Sequence, residues 1–245
     1  MGNVKRAHMV SRSYLRAWAD ERNRVDVLDI QQGRGFTSAI GNATVVSYAY
    51  EPEVLPHNLE GEFDRIESRG VPAIVKLRAG HALTASDKDD VIAFLDMHLD
   101  RGRYADQSEV RTPAVLVKID GSSEDASLSL GDRLLLSRHM EGVVRLTALG
   151  VAQWPWQVLE SRSLATGDGA VLLWRQTDGA EVSLVTFPLS PTHLLVIGEG
   201  FPERAPLNTL LAQHSRRWVV GTVGSLVKGQ AAVIAALRRA ESGGE

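Results

Sequence analysis

The chain has no cysteine, which excludes disulfides, thiolate zinc sites and cysteine nucleophiles. It also lacks any apolar run near the roughly 20 residues of a membrane span, and its first thirty residues hold no stretch of signal-peptide length. These features predict a cytoplasmic protein with no membrane partner. Neither charge sign dominates: 27 Lys and Arg stand against 30 Asp and Glu, a net charge of -3. That balance argues against broad capture of nucleic acid and leaves only a local basic patch for phosphate.

Several catalytic signatures are missing as well. There is no G-x-S-x-G elbow, P-loop, H-E-x-x-H pair or G-x-G-x-x-G fingerprint. Familiar hydrolases, NTPases and zinc proteases are set aside; the sequence names no cofactor and excludes none. Any metal would rest on His, Asp and Glu.

What is present is an ordinary globular composition, 44% hydrophobic and 23% charged over 245 residues. A short helical segment around Tyr14 to Ala19 precedes an alternating run from Arg24 to Ile30. The turn "QQGRG" then leads into Phe36 to Ile40, a hairpin pattern. Leu59, Phe63 and Ile66, then Ile74 and Leu77, recur at helical spacing, with a break or kink expected before Pro72. "TASDKDDVIAFLDMHLDRGRYA" is the clearest helix, with Thr84 and Ser86 as candidate N-caps and Asp87, Asp89 and Asp90 complementing its dipole.

"GSSEDASLSLGDRLLLSRHMEGVVRL" reads as a polar loop followed by a helix. Beyond Gly150, "QWPWQVLES", "GAVLLW", "EVSLVTF" and "HLLVIG" read as strands, and helices are expected from about Pro206 to Val220 and from Val227 to Arg239. Runs of helix and of strand favour an α+β fold, in which a helical middle and C-terminal helices pack with a mostly antiparallel β-rich segment. We expect a single domain over residues 1–245. It has an N-terminal hairpin, a helical middle at about 59–150, and a β-rich then helical C-terminal part.

The opening "AHMVSRSYLRAW" resembles the start of an uncharacterised, mostly bacterial family, a domain of unknown function whose members begin H-Y-V-P-x-x-Y-L. His8, Val10, Tyr14, Leu15 and Trp18 fit, whereas Met9 and Ser11 replace tyrosine and proline. Looser likenesses follow in order: "YAYEPEVL", "FDRIES" with Glu67, "FLDMHLDR" with Arg101, "LATGDGAVLL" with Asp168, "FPLSPTHLLVIG" and "LNTLLAQHSRRWVV". The resemblance thus extends over nearly the whole chain. It implies no established reaction. Gly169 and Ala170 stand where the family carries asparagine and proline, which removes an amide and a rigid turn.

The candidate site residues are therefore His8, Glu67, Arg101 and Asp168. Imidazole titrates near neutrality, so His8 suits acid/base work or metal ligation; the plain alternative is a hydrogen-bonded structural group. Glu67 lies at the margin of an apolar helical face, where a carboxylate needs a partner. His98 falls within the stripe of Val91, Phe94, Leu95 and Leu99, with Arg101 at its edge; a satisfied core histidine and a bonded arginine are the plain reading. An arginine fork also suits a substrate phosphate or carboxylate. Asp168 follows a glycine, as a turn former does.

Other features read structurally. The glycines of "GRG" at Gly33 and "GDG" at Gly167 are expected in hairpin turns, and the aspartates at 87, 89 and 90 in a helix's first turn. "WPW" reads as a strand entry and Ser190 as a strand end. Arg216, Arg217, Lys228, Arg238 and Arg239 read as a solvated helix face.

Two function classes remain. In one, His8, Glu67, Arg101 and Asp168 converge as a hydrolytic or phosphoester-processing site, with Arg101 as anion clamp. In the other they form a buried brace in a binding or regulatory module, set in a bacterial defence or toxin-related gene cluster. The partner is an unidentified small molecule or protein.

Overall fold

A computed structural model describes residues 6–47, 54–55, 57–140, 142–202, 204–227 and 230. The chain enters as β1 (Arg6–His8) and turns at Ser11, whose hydroxyl accepts the Tyr14 amide and caps α1 (Arg12–Leu15). Tyr14, Leu15 and Trp18 are fully buried. The Tyr14 hydroxyl donates to the Pro188 carbonyl at 2.6 Å, and the Trp18 indole donates to the Leu164 carbonyl at 2.8 Å. Two aromatic side chains thus pin the amino-terminal part to the carboxyl-terminal half while satisfying their polar tips.

β2 (Arg24–Asp29) and β3 (Arg34–Ala39) form the expected hairpin, closed by a turn in which Gly33 adopts φ 63°. β4 (Val45–Ser47) pairs antiparallel with β1. Next comes α2 (Leu59–Arg78), capped by Asn58 and burying Leu59, Phe63, Ala73, Ile74 and Leu77. The break expected before Pro72 does not occur, and the helix continues through it. Pro72 and Ser68 both lie on the exposed face, so the Ser68 carbonyl that loses its donor is open to water. Gly70 keeps the helix tight against its neighbour: a Cβ there would lie 2.7 Å from that of Phe94.

α3 (Ala85–Arg103) starts at a capping box of Thr84 and Asp87, while Ser86 lies inside the helix. It packs on α2 and sends Val91, Phe94, Leu95 and His98 inward. The polar loop expected after Gly121 is instead a strand. β5 (Thr112–Val117) and β6 (Ser123–Leu128) form an antiparallel hairpin within the expected helical middle. Cross-strand pairing supplies what the Ser-Glu-Asp sequence lacks in strand propensity. α4 (Leu130–Ser137) follows, capped by Ser129 and Asp132.

The rest of the chain alternates strands with one helix: β7 (Trp156–Glu160), β8 (Thr166–Gly167), β9 (Leu172–Arg175), β10 (Val182–Ser190), β11 (His193–Gly198), α5 (Leu207–His214) and β12 (Trp218–Gly221). One antiparallel sheet has the order β7-β11-β10-β9, the other β3-β2-β12-β8. The helix expected to reach Val220 therefore ends at His214. Trp218 to Gly221 are a strand inserted between β2 and β8, a position suited to aromatic and β-branched side chains. Arg216 and Arg217 consequently do not form a helix face, and Arg217 lies against the Trp218 ring at 4.3 Å. Lys228, Arg238, Arg239 and nearly all of the helix expected over 227–239 fall outside the described residues.

Gly167 sits within β8 rather than in a hairpin turn. Its missing Cβ is what the packing requires, because one would lie 2.2 Å from the Trp218 carbonyl oxygen. The fold is α+β, and every strand pairing described is antiparallel. A continuous apolar cluster runs from Ala7 and Tyr14 through Phe94 and Phe187 to Val220.

Candidate functional site

His8, Glu67 and Arg101 meet where β1, α2 and α3 approach one another. Arg101, on the last turn of α3, places Nη1 2.5 Å from Glu67 Oε1 and its guanidinium carbon 4.5 Å from the Phe63 ring centre. The second Glu67 oxygen, Oε2, accepts the Ser11 hydroxyl at 2.7 Å. The Arg101 side chain is 4% exposed and that of Glu67 20%, so the ion pair sits at a boundary between interior and water.

His8 lies half-buried beside this pair. Burial lowers its basicity and nearby Arg101 and Arg12 lower it further, while Glu67 and a hydrogen bond to the Ile40 backbone oppose them. Lowered below its usual value, the ring is neutral at pH 7. Glu60, two turns before Glu67 on α2, joins the cluster. Its Oε2 is buried without a hydrogen-bond partner, and burial raises its carboxyl pKa, assisted by Glu67 and Asp64 against Arg101.

Asp168 directly follows β8. Its carboxylate accepts the Arg217 amide at 2.8 Å and the Trp218 amide at 3.4 Å, fixing the entry to β12. Its backbone lies against the cluster's helix, for a Cβ on Gly102, next to Arg101, would lie 2.1 Å from the Asp168 carbonyl oxygen. It is a capping residue for a strand distant in sequence.

His98 is a satisfied core histidine. Its Nε2–H donates to the Gly167 carbonyl at 2.8 Å, its ring lies among Tyr14, Phe94 and Phe187, and burial pushes its pKa down to about 4. Ser190 is held in a strand-end turn by His193 Nδ1 at 2.9 Å. Asp87 serves the helix cap and Lys76, and Asp90 faces Arg69. Among the described residues, no group of three His, Asp or Glu side chains is arranged to hold a metal.

Sequence reasoning missed Ser11 and Glu60. The seven-residue interval between Glu60 and Glu67 was a usable signal, since it stacks both on one helix face. It also missed an open cleft of about 480 Å³ between α2, α3 and residues 138–148. Phe63, Ile66 and Met97 line its apolar part, with Arg138 and Arg145 among its polar lining. The acids there are engaged within the protein. Asp96 accepts the Leu146 amide and the Thr147 hydroxyl, each at 2.7 Å; Asp100 accepts Arg145 at 2.7 Å; Glu62 accepts Arg138 at 3.0 Å. Phe63 joins the two regions, with Arg101 on one side and the Arg138 guanidinium 5.9 Å from its centre.

Comparison with known proteins finds one family model, described as a protein of unknown function (DUF4238), matching residues 6–148. No curated protein and no solved structure matches. The likeness expected over nearly the whole chain is thus found over its first part. His8, Glu67 and Arg101 lie inside the matched span and Asp168 beyond it.

Proposed function

We propose, on the premise that this chain belongs to the DUF4238 family of unknown function, that it is a binding or regulatory module whose polar cluster is a brace. The observation that carries this reading is the engagement of both Glu67 oxygens, one with Arg101 at 2.5 Å and the other with Ser11 at 2.7 Å. A carboxylate held on both oxygens ties α1, α2 and α3 together and has little freedom to act as a base. The adjoining cleft is the ligand surface in this reading. Its acids are hydrogen-bonded internally, whereas Arg138 places one of its five donors on Glu62 and keeps others for an anion. The fitting occupant is a small molecule, or a partner's side chain, with an apolar body and a carboxylate or phosphate. The resemblance of the opening motif supports a bacterial setting; the cytoplasmic location and a defence or toxin-related gene cluster are parts of the proposal.

The test is equilibrium unfolding of Glu67→Ala and Arg101→Ala. Each removes one half of the Glu67–Arg101 ion pair and is expected to cost about 3–5 kcal/mol. Unchanged stability in both variants would sink the brace.

One observation favours the hydrolytic or phosphoester-processing reading: His8 is half-buried and its neutral imidazole stands beside Glu67 and Arg101. In that case Arg101 clamps an anionic ester and His8 removes a proton from the attacking water. Loss of phosphoester hydrolysis in His8→Ala, at unchanged stability, would replace the first reading with this one.

A further inference from the structure

We propose that the open edge of β5 is a self-association surface, paired with the same strand of a second copy of this chain. The β5–β6 hairpin is a two-stranded sheet of its own, so β5 has an outer edge with no strand on it among the described residues. Its register fixes which groups face outward. The Lys118 amide donates to the Ser122 carbonyl at 2.8 Å, which makes this opposed pair a hydrogen-bonded one. Antiparallel ladders alternate, so Leu116, Ala114 and Thr112 point their backbone groups at β6, whereas Val117, Val115 and Pro113 point theirs away.

The side chains at these outward positions are exposed and apolar. Val115 is 62% exposed, Val117 76%, and Ile119, next in the same row, 110%. The other edge of the hairpin is built differently. Its outward positions are Ser123, Asp125 and Ser127, all exposed and polar, the usual protection of a free edge. The hairpin is therefore blunted on one edge and left apolar and hydrogen-bond competent on the other.

A second copy fits this edge through its own sequence. An antiparallel two-fold pairing centred on Val115 sets Val115 against itself and Val117 against Pro113 of the second copy. Both Val115 residues exchange backbone bonds, and each Val117 amide reaches a Pro113 carbonyl. The donor that Pro113 lacks is missing only at the ladder's ends. The rows of Pro113, Val115 and Val117 become cross-strand neighbours. No like charges are opposed: Arg111 falls opposite Ile119, and Lys118, already paired with Glu124 at 2.7 Å, falls opposite Thr112. Two short strands bury little area, so the association is weak and depends on concentration.

Two measurements on the full chain test this. Sedimentation velocity from low to high micromolar concentration should show a monomer–dimer equilibrium, abolished in Val115→Lys without a change in thermal unfolding, because Val115 is exposed. The absence of cysteine permits the second. Val115→Cys should form a disulfide-linked dimer on oxidation, since a hydrogen-bonded antiparallel pair places its Cα atoms about 5.5 Å apart, within disulfide reach. Asp125→Cys, on the blunted edge, should not. A wild-type protein that stays monomeric throughout, a Val115→Lys variant that still dimerises, or equal cross-linking from both cysteine variants would each overturn the proposal.

Discussion

At the scale of single residues, burial decides charge. His98 is enclosed by Tyr14, Phe94 and Phe187, and its pKa of about 4 lies below the usual 6.5. The unfolded chain therefore binds a proton between these values that the folded protein refuses. Stability contributed by the neutral ring is complete above pH 6.5 and is lost as pH falls toward 4, by about 3 kcal/mol. Glu60 and Asp100 have raised carboxyl pKa values, because burial disfavours their charge, and they act with the opposite sign. The informative quantity is thus a difference: His98→Gln should show a shallower loss of urea stability than the wild type from about pH 7 to about pH 4.5. Identical pH slopes would show that another group titrates. His98 and Arg101 were legible because Val91, Phe94 and Leu95 define a face on which both can be placed. Ser11 was not, since its bond to Glu67 joins residues 56 apart and leaves no periodic trace.

At the scale of elements, helix starts are written locally, and strand partners are not. Thr84 and Asp87 announce α3, but Ser123–Leu128 becomes a strand only because β5 lies beside it, and β12 only because β2 does. Pro72 is the converse case: a strong local rule is outweighed by packing on both sides of it. Gly102 presents a similar conflict and decides it by measurement. Helix propensity alone predicts that Gly102→Ala stabilises α3 by about 1 kcal/mol. The added Cβ, however, would lie 2.1 Å from the Asp168 carbonyl oxygen, which is backbone and cannot swing aside. The expected net result is destabilisation by about 1–3 kcal/mol in urea unfolding. A stabilised variant would mean that α3 and the segment after β8 are less closely packed than described.

At the scale of the whole molecule, the family-matched span does not contain its own partners. β2 needs β12, Tyr14 bonds Thr166 and Pro188, and Trp18 bonds Leu164, all beyond residue 148. A fragment of residues 1–148 is accordingly expected to lack a cooperative thermal transition by circular dichroism, while the full chain shows one. A cooperative fragment would make the matched span a folding unit in its own right. The α+β class was legible from composition and periodicity, since it requires only element types. The order β3-β2-β12-β8 was not, because no local pattern tells β2 that its neighbour lies near the other end.

That arrangement also sets a clock on the ribosome. The Tyr14 hydroxyl must wait for Pro188, 174 residues later, which at about 5–20 residues per second is an interval on the order of ten to thirty seconds. Throughout it the nascent amino-terminal part carries one unpaired strand edge and two large aromatic rings with no cavity to enter.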